Sequence, residues 1–277
     1  MRLATVFTCA LLGVALAGCT DDTVTAPRDQ TPPAAPRGLY STTGDGSATL
    51  RWLRNTEGDV QGYRIYSSPC DGGSSCPYDR VGATMGTSFV IGGLVNGVTR
   101  YFAIAAVDNA GNESALTYEI IFDTPRPAGV GAALGNYLNS ASGAAWDFSA
   151  GIARSSNDDL SDIYFGYNGA VYQIFAKDVG AAYTDLQDAG YGTSLDAVDF
   201  APSTGWSPSG TAELIEGHCY VVWTRDNHYA KFRVTSLSPS QVVFDWAYQT
   251  AAGNPELAAR RAFDEDRTPR QQRWIRS

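Results

Sequence analysis

Short runs in which apolar and polar residues alternate constrain the fold of this chain more than any other feature. Residues 48–52 and 62–66 place apolar side chains at every second position, and 88–91 and 99–107 are further apolar runs. Alternation with a period of two is typical of strands that bury one face. Turn-forming residues such as those at 108–112 separate the runs. Strands at this spacing favour a β-sandwich, and we predict an all-β fold.

Residues 37–124 carry a more specific pattern. Trp52 stands alone in its strand, and three segments flank it in the order Pro-Pro-Ala-Ala-Pro-Arg-Gly-Leu, Asp-Val-Gln-Gly-Tyr-Arg-Ile-Tyr and Tyr-Phe-Ala-Ile-Ala-Ala-Val-Asp. Together they resemble a fibronectin type III domain. The resemblance implies that Trp52 fills the core between two sheets. It also implies that Leu94 and Tyr101 form a tyrosine corner, in which the phenol bonds back to the backbone.

Two of the cysteines are candidates for a disulfide in an oxidising envelope. Cys70 and Cys76 lie in a loop of serine, proline and glycine that is longer than the corresponding loop of most fibronectin type III domains, and they are able to close a small disulfide ring. A zinc site would need two further ligands nearby, and the sequence around the pair offers none. Cys219 lies in an apolar run, so we expect a small buried side chain rather than a nucleophile. No cofactor is predicted.

The amino-terminal residues predict export. Arg2 precedes an apolar stretch at 3–16 that is too short to span a bilayer, which indicates a signal peptide over residues 1–18. Leu-Ala-Gly-Cys, ending at Cys19, resembles the lipobox of bacterial lipoproteins. The resemblance implies cleavage before Cys19 and acylation of its thiol, palmitate included, with the bilayer as partner. The expected location is the bacterial cell envelope, at the outer membrane; an ordinary signal peptide is the alternative.

Three segments do not look like parts of a core. Residues 19–36 are rich in proline and threonine and predict an extended tether. Residues 125–129 predict a short linker, because two prolines would end the preceding strand. The segment 254–277 predicts a charged, solvated tail with one or two helical turns at 256–263.

The net charge excludes one class of partner. The whole chain carries −9, and removal of residues 1–18 takes away one positive charge, Arg2, and no negative one. Nucleic acids need basic patches, so the acidic balance argues against them. The length favours two domains.

Residues 130–253 predict a second, mostly β domain of no recognised family. Strands are expected at 144–148, 162–167, 170–176, 219–224, 229–235 and 241–249, the last three as a meander. Asn168 and Gly169 predict a tight hairpin. Residues 183–190 read as a short, helical connection. Both a small sandwich and a curled sheet fit this pattern.

No catalytic constellation is evident. His218 and His228 would need to converge with Asp226 or Glu216 to bind a metal, but the expected hairpin register separates them. Ser194 lacks the second glycine of a nucleophile elbow and reads as a loop or cap residue. Other acidic residues offer carboxylate pairs or a calcium turn only of the kind expected by chance in an acidic chain; these are Asp196, Asp199, Glu213, Glu216 and the turn at 157–162. We predict no catalytic residue and no metal ligand.

Aromatic residues are the remaining candidates for function. They are dense in the second domain, where building the core is the simpler role. Trp206 lies in a loop between glycine and Ser-Pro, so it is the ring expected to be exposed and able to bind a ligand. We predict a non-catalytic binding or structural module presented on a fibronectin type III spacer. The alternatives are a carbohydrate- or small-ligand-binding accessory lipoprotein, with a glycan or protein ligand, and a hydrolase carried on the second domain.

Overall fold

A computed structural model describes residues 28–73 and 75–259. The predicted signal peptide, Cys19 and the first part of the predicted tether lie outside these residues. The described chain is built of β-strands, with a single 3₁₀ turn at Leu195–Ala197. None of its described segments is a helix long and apolar enough to cross a bilayer. The predicted all-β fold is confirmed.

The first domain is a β-sandwich of two antiparallel sheets, as the resemblance implies. One sheet has three strands in the order β1-β2-β5 and the other has four in the order β4-β3-β6-β7. The strands are β1 (Tyr40–Gly44), β2 (Ser47–Arg51), β3 (Val60–Ser68), β4 (Asp79–Thr84), β5 (Ser88–Ile91), β6 (Arg100–Asp108) and β7 (Ile121–Asp123).

The core of this sandwich explains the role of its aromatic residues. Trp52 is buried between the sheets and meets Tyr63 edge to face, with ring centroids 5.3 Å apart. Leu94 packs against the same cluster, whereas Tyr101 packs on the opposite face of β6 with Phe122. The predicted tyrosine corner is therefore wrong, because Phe102, the next residue, faces the core in place of Tyr101.

The loop after β3 contains the predicted disulfide. Cys70 and Cys76 are bonded, with Cα atoms 6.1 Å apart. Cys76 is buried, so the bond fixes the end of the loop against the domain. The strand β4 that follows pairs with β3.

The second domain is also a sandwich, made of two five-stranded antiparallel sheets. Their strand orders are β10-β9-β11-β12-β14 and β13-β15-β16-β17-β8. The strands are β8 (Ala128–Gly135), β9 (Ala145–Asp147), β10 (Ile152–Arg154), β11 (Ile163–Tyr167), β12 (Tyr172–Ala176), β13 (Asp185–Tyr191), β14 (Thr211–Glu213), β15 (His218–Trp223), β16 (Tyr229–Ser238) and β17 (Gln241–Gln249). Inward side chains of both sheets form one aromatic core that includes Trp146, Phe232 and Phe244. The predicted meander of the last three strands is confirmed.

The helical connection predicted at 183–190 is wrong. The segment forms β13, which pairs with β15 and has a bulge between Asp188 and Gly190. Leu186, the second residue of this strand, enters the aromatic core. Pairing to a neighbouring strand, which local sequence does not reveal, decides its structure.

The start of the predicted solvated tail is also wrong. The backbone of Glu256 forms an isolated β-bridge with that of Phe200. The described part of this segment, through residue 259, contains no helical turn. Leu257 is fully buried with Val198 and Val221. The outer face of β15 carries apolar side chains that would otherwise be solvated, and this segment covers them.

The predicted linker at 125–129 forms part of a buried junction. Strand β8 already begins at Ala128, and Arg126 is almost completely buried. Its guanidinium donates through Nη1 to the Glu256 carbonyl oxygen (2.7 Å) and through Nη2 to Thr43 Oγ1 (2.8 Å). Thr124 Oγ1 donates to Glu256 Oε2 (2.7 Å). The two sandwiches and the segment that follows β17 thus share one network of hydrogen bonds.

Candidate functional site

Trp206 lies at one end of the sheet that contains β15 and β16. Its ring is half-buried rather than fully exposed, and it packs beside Trp223 and Tyr229. The ring centroids are 5.9 Å apart for Trp206 and Trp223 and 6.5 Å apart for Trp206 and Tyr229. Trp223 and Tyr229 stack at 5.5 Å. We call these three half-buried rings the Trp206 cluster.

Strand register brings the Trp206 cluster together. Trp223 and Tyr229 are directly opposite each other where β15 turns into β16. Asn227 in that turn has a φ of 64°, a conformation that asparagine tolerates, and its Oδ1 accepts a hydrogen bond from Trp223 Nε1 (3.0 Å). A backbone hydrogen bond from Ser207 N to the Leu186 carbonyl oxygen (2.8 Å) attaches the loop that carries Trp206 to β13.

Polar groups border the Trp206 cluster. Asp185 is directly opposite Trp223 on the neighbouring strand, and Gln187 occupies the next position on the same face. Gln187 Oε1 is buried and has no hydrogen-bond partner among the described residues. Burial raises the pKa of Tyr229, so its phenol stays protonated and able to donate. The cluster thus combines ring surface with a phenol donor and a carboxylate.

The two histidines lie next to different carboxylates. His218 Nδ1 lies 3.0 Å from Asp188, and His228 Nδ1 lies 3.3 Å from Asp226. Cys219 pairs with Arg233 across β15 and β16, so the register holds the two imidazoles several residues apart, as predicted.

The other candidates from the sequence are accounted for by local structure. Ser194 caps the 3₁₀ turn, with its side chain accepting from Asp196 N (3.3 Å). Asp158 pairs with Arg154, whereas Asp162 accepts from Phe148 N (2.8 Å), so the acidic turn does not converge on one point. Burial raises the pKa of Asp162 to about 6.

A small polar cavity lies at the junction of the sandwiches. Asp196 and Asp199 line it together with the hydroxyl residues 41–43 of β1 and Ala258 and Ala259, and its volume is about 140 Å³. Glu213 and Glu216 are not among its lining residues. The four acidic residues that the sequence offers as carboxylate pairs therefore do not all meet at this cavity.

Lys231 is a buried amine that sequence reasoning did not single out. Burial, followed by the positive charge of Arg126, lowers its pKa to about 7. Its Nζ donates to the carbonyl oxygens of Leu195 (2.6 Å) and Val198 (3.0 Å). Because the amine is buried, a substrate does not reach it. It anchors the segment at 195–198 and does not act as a nucleophile. Cys219 is likewise buried, as predicted, and forms no disulfide among the described residues.

Two carboxylates of the first domain and one of the segment that precedes it converge within the described residues. Ligand atoms of Asp29, Asp59 and Asp108 all lie within 4.8 Å of one another. The Asp108 carboxylate accepts from both the backbone and the side chain of Asn112, each at 2.8 Å. Hydrogen bonds within the protein therefore account for its position.

No protein-family model matches the chain. Over 103 residues, 37% of its length, it is 32% identical to amylopullulanases of Thermoanaerobacterium saccharolyticum and Thermoanaerobacterium thermosulfurigenes. The chain spans 8% and 5% of the lengths of these two relatives.

Solved structures that match include several fibronectin type III domains. A fibronectin-type-III-like protein from Clostridium thermocellum is 26% identical, with coverage of 31% of this chain and 88% of that one and a TM-score of 0.28. The sixth such domain of a human fibronectin type III domain containing protein 3 is 20% identical, with coverage of 36% and 91% and a TM-score of 0.30. A DUF4466 family protein from Parabacteroides merdae is 13% identical, with coverage of 78% and 99% and a TM-score of 0.39.

Proposed function

We propose that this protein is a lipid-anchored lipoprotein of the bacterial cell envelope that binds carbohydrate without catalysis. In this account Cys19 carries the lipid, the first sandwich is a spacer, and the second sandwich carries the binding site. The Trp206 cluster is the observation on which the proposal rests. Aromatic rings bind the apolar faces of sugar rings, and neighbouring polar groups bind the hydroxyls.

Two further findings support carbohydrate as the ligand class. The relatives over 37% of the chain are named amylopullulanases, enzymes that act on carbohydrate. At the Trp206 cluster itself, Asp185 is half-buried opposite Trp223, and its carboxylate is a suitable acceptor for sugar hydroxyls.

Affinity electrophoresis tests the binding site. The full chain, in a detergent without a sugar headgroup, is run through gels that contain soluble polysaccharides, pullulan among them. We expect one of these to retard the protein and Trp206→Ala to weaken that retardation about tenfold, or ~1.4 kcal/mol. Tyr183→Ala, which removes an aromatic ring that is 67% exposed outside the cluster, is the matched control. Equal retardation of both variants, or none of the wild type, would overturn the proposal.

Inhibition of lipoprotein processing tests the anchor. Globomycin is expected to cause the unprocessed precursor to accumulate, and Cys19→Ala is expected to abolish labelling by a palmitate analogue. Processing that is indifferent to the inhibitor would contradict the lipid anchor and favour an ordinary signal peptide.

A further inference from the structure

A second group of aromatic rings lies on the outer face of the other sheet of the second sandwich. Tyr164 on β11 and Phe175 on β12 are directly opposite each other, and their rings stack at 4.9 Å and 10°. Tyr137 meets them at 5.2 and 5.7 Å, nearly perpendicular to both. We call these three half-buried rings the Tyr137 cluster. They belong to none of the clusters of buried apolar side chains found in the described residues.

The Tyr137 ring lies against the backbone of Gly166. A Cβ atom at Gly166 would come within 2.5 Å of Tyr137 Cε1, so only glycine leaves room for the ring. Tyr137 N donates to the Phe165 carbonyl oxygen (3.0 Å), and the adjacent Asn136, which is buried, donates to the Tyr167 carbonyl oxygen (2.9 Å). These bonds hold the ring in place before any ligand arrives, which lowers the entropic cost of binding.

Polar side chains continue the same face of the sheet. Gln173, two residues before Phe175, is directly opposite Glu213, and Thr211 is directly opposite Phe175. Burial raises the pKa of Tyr164, so its phenol remains a donor. The face therefore presents ring surface beside an amide, two hydroxyl groups and a carboxylate.

We propose that the Tyr137 cluster is a second carbohydrate-binding site, which takes a neutral glycan chain. A sugar ring stacks on the side of Tyr137 that faces away from Gly166. It also contacts Tyr164 and Phe175, whose rings are nearly perpendicular to that of Tyr137. Gln173 and Thr211 bind its hydroxyls. The proposal takes its ligand class from the proposed function but uses entirely different residues. Glu213 and the net charge of −9 oppose an anionic ligand.

The composition of the face favours a glycan over a protein partner. Stable protein interfaces bury roughly 800 Å² on each partner and have an apolar centre. Here three rings are bordered at once by Gln173, Thr211 and Glu213. A narrow strip of rings with polar edges suits a chain of sugars, which alternates apolar ring faces with hydroxyls.

Isothermal titration calorimetry with a short oligosaccharide tests the second site. The oligosaccharide comes from the polysaccharide that retards the full chain, and the detergent has no sugar headgroup. We expect two molecules bound per wild-type chain, and one for Tyr137→Ala and for Trp206→Ala. Gln173→Ala keeps all three rings and is expected to weaken one of the two sites about tenfold. Tyr137→Phe keeps the ring and is expected to retain both sites.

The outcomes separate this inference from the proposed function. One molecule per wild-type chain, lost in Trp206→Ala and unchanged in Tyr137→Ala and Gln173→Ala, would overturn the second site alone. Loss on changing Tyr137 or Gln173 but not Trp206 would support this site and overturn the first. A wild type that binds no oligosaccharide would overturn both.

Discussion

Replacement of Leu257 by alanine tests whether the segment after β17 belongs to the folded domain. Leu257 is fully buried against Val198, Cys219 and Val221. The change removes three carbon atoms, worth about 0.8 kcal/mol each in lost burial, or roughly 2.4 kcal/mol. The cavity left behind adds to this, and such changes in cores typically cost 2–5 kcal/mol. We therefore expect Leu257→Ala to lower the free energy of unfolding by about 3 kcal/mol.

Urea unfolding of the full chain, followed by tryptophan fluorescence, measures this loss. Leu138→Ala is the matched control, because the same side chain is 56% exposed there and its removal is expected to cost less than about 0.5 kcal/mol. If Leu257→Ala lowers the free energy of unfolding by no more than Leu138→Ala does, the segment is solvated and does not cover the outer face of β15.

Three further predictions concern two buried charged side chains and the disulfide. Asp162 has a pKa of about 6 in the folded protein, above its ordinary 3.8, so its contribution to stability falls as pH rises from about 4 through 6. Urea titrations at pH 4 and 7 should show Asp162→Asn gaining about 2 kcal/mol relative to wild type, and parallel pH profiles would contradict this. Lys231 has a pKa of about 7, below its ordinary 10.5, so wild-type stability should rise between pH 7 and 10, and Lys231→Met should lose that rise in the same assay. Joint replacement of Cys70 and Cys76 by serine opens a ring with a sequence separation of six and should cost about 2 kcal/mol in urea unfolding; an unchanged midpoint would show that the bond does not stabilise the loop.

A clear pattern of apolar residues, alternating or continuous, explains which strands the sequence predicts. Strand β17 occurs at the expected residues because apolar side chains occupy every second position, whereas β5 occurs there as a short, continuous apolar run. Strands β1 and β8 escape prediction because serine, threonine, glycine and alanine dominate them, and pairing with neighbours makes them strands. Strand β13 has two aspartates and little apolar alternation, so its pairing with β15 is not visible in the local sequence either.

The candidate sites show a similar limit. Glycine and proline around Trp206 point to its loop, but the contacts with Trp223 and Tyr229 depend on which way β15 and β16 face. The Tyr137 cluster joins residues whose proximity depends on a missing side chain at Gly166. Local sequence does not reveal the approach of Trp206 or Tyr137, because each ring joins its hairpin from a distant part of the chain.

A fluorescence titration of the full chain with the retarding glycan tests the central claim most directly. Trp206 and Trp223 report on one proposed site, and the double variant Trp206→Ala, Tyr137→Ala removes a ring from each. The account predicts a saturable change in tryptophan emission for the wild type, no saturation in the double variant, and wild-type behaviour for Tyr183→Ala. Equal saturation of wild type and double variant would contradict carbohydrate binding by these aromatic surfaces.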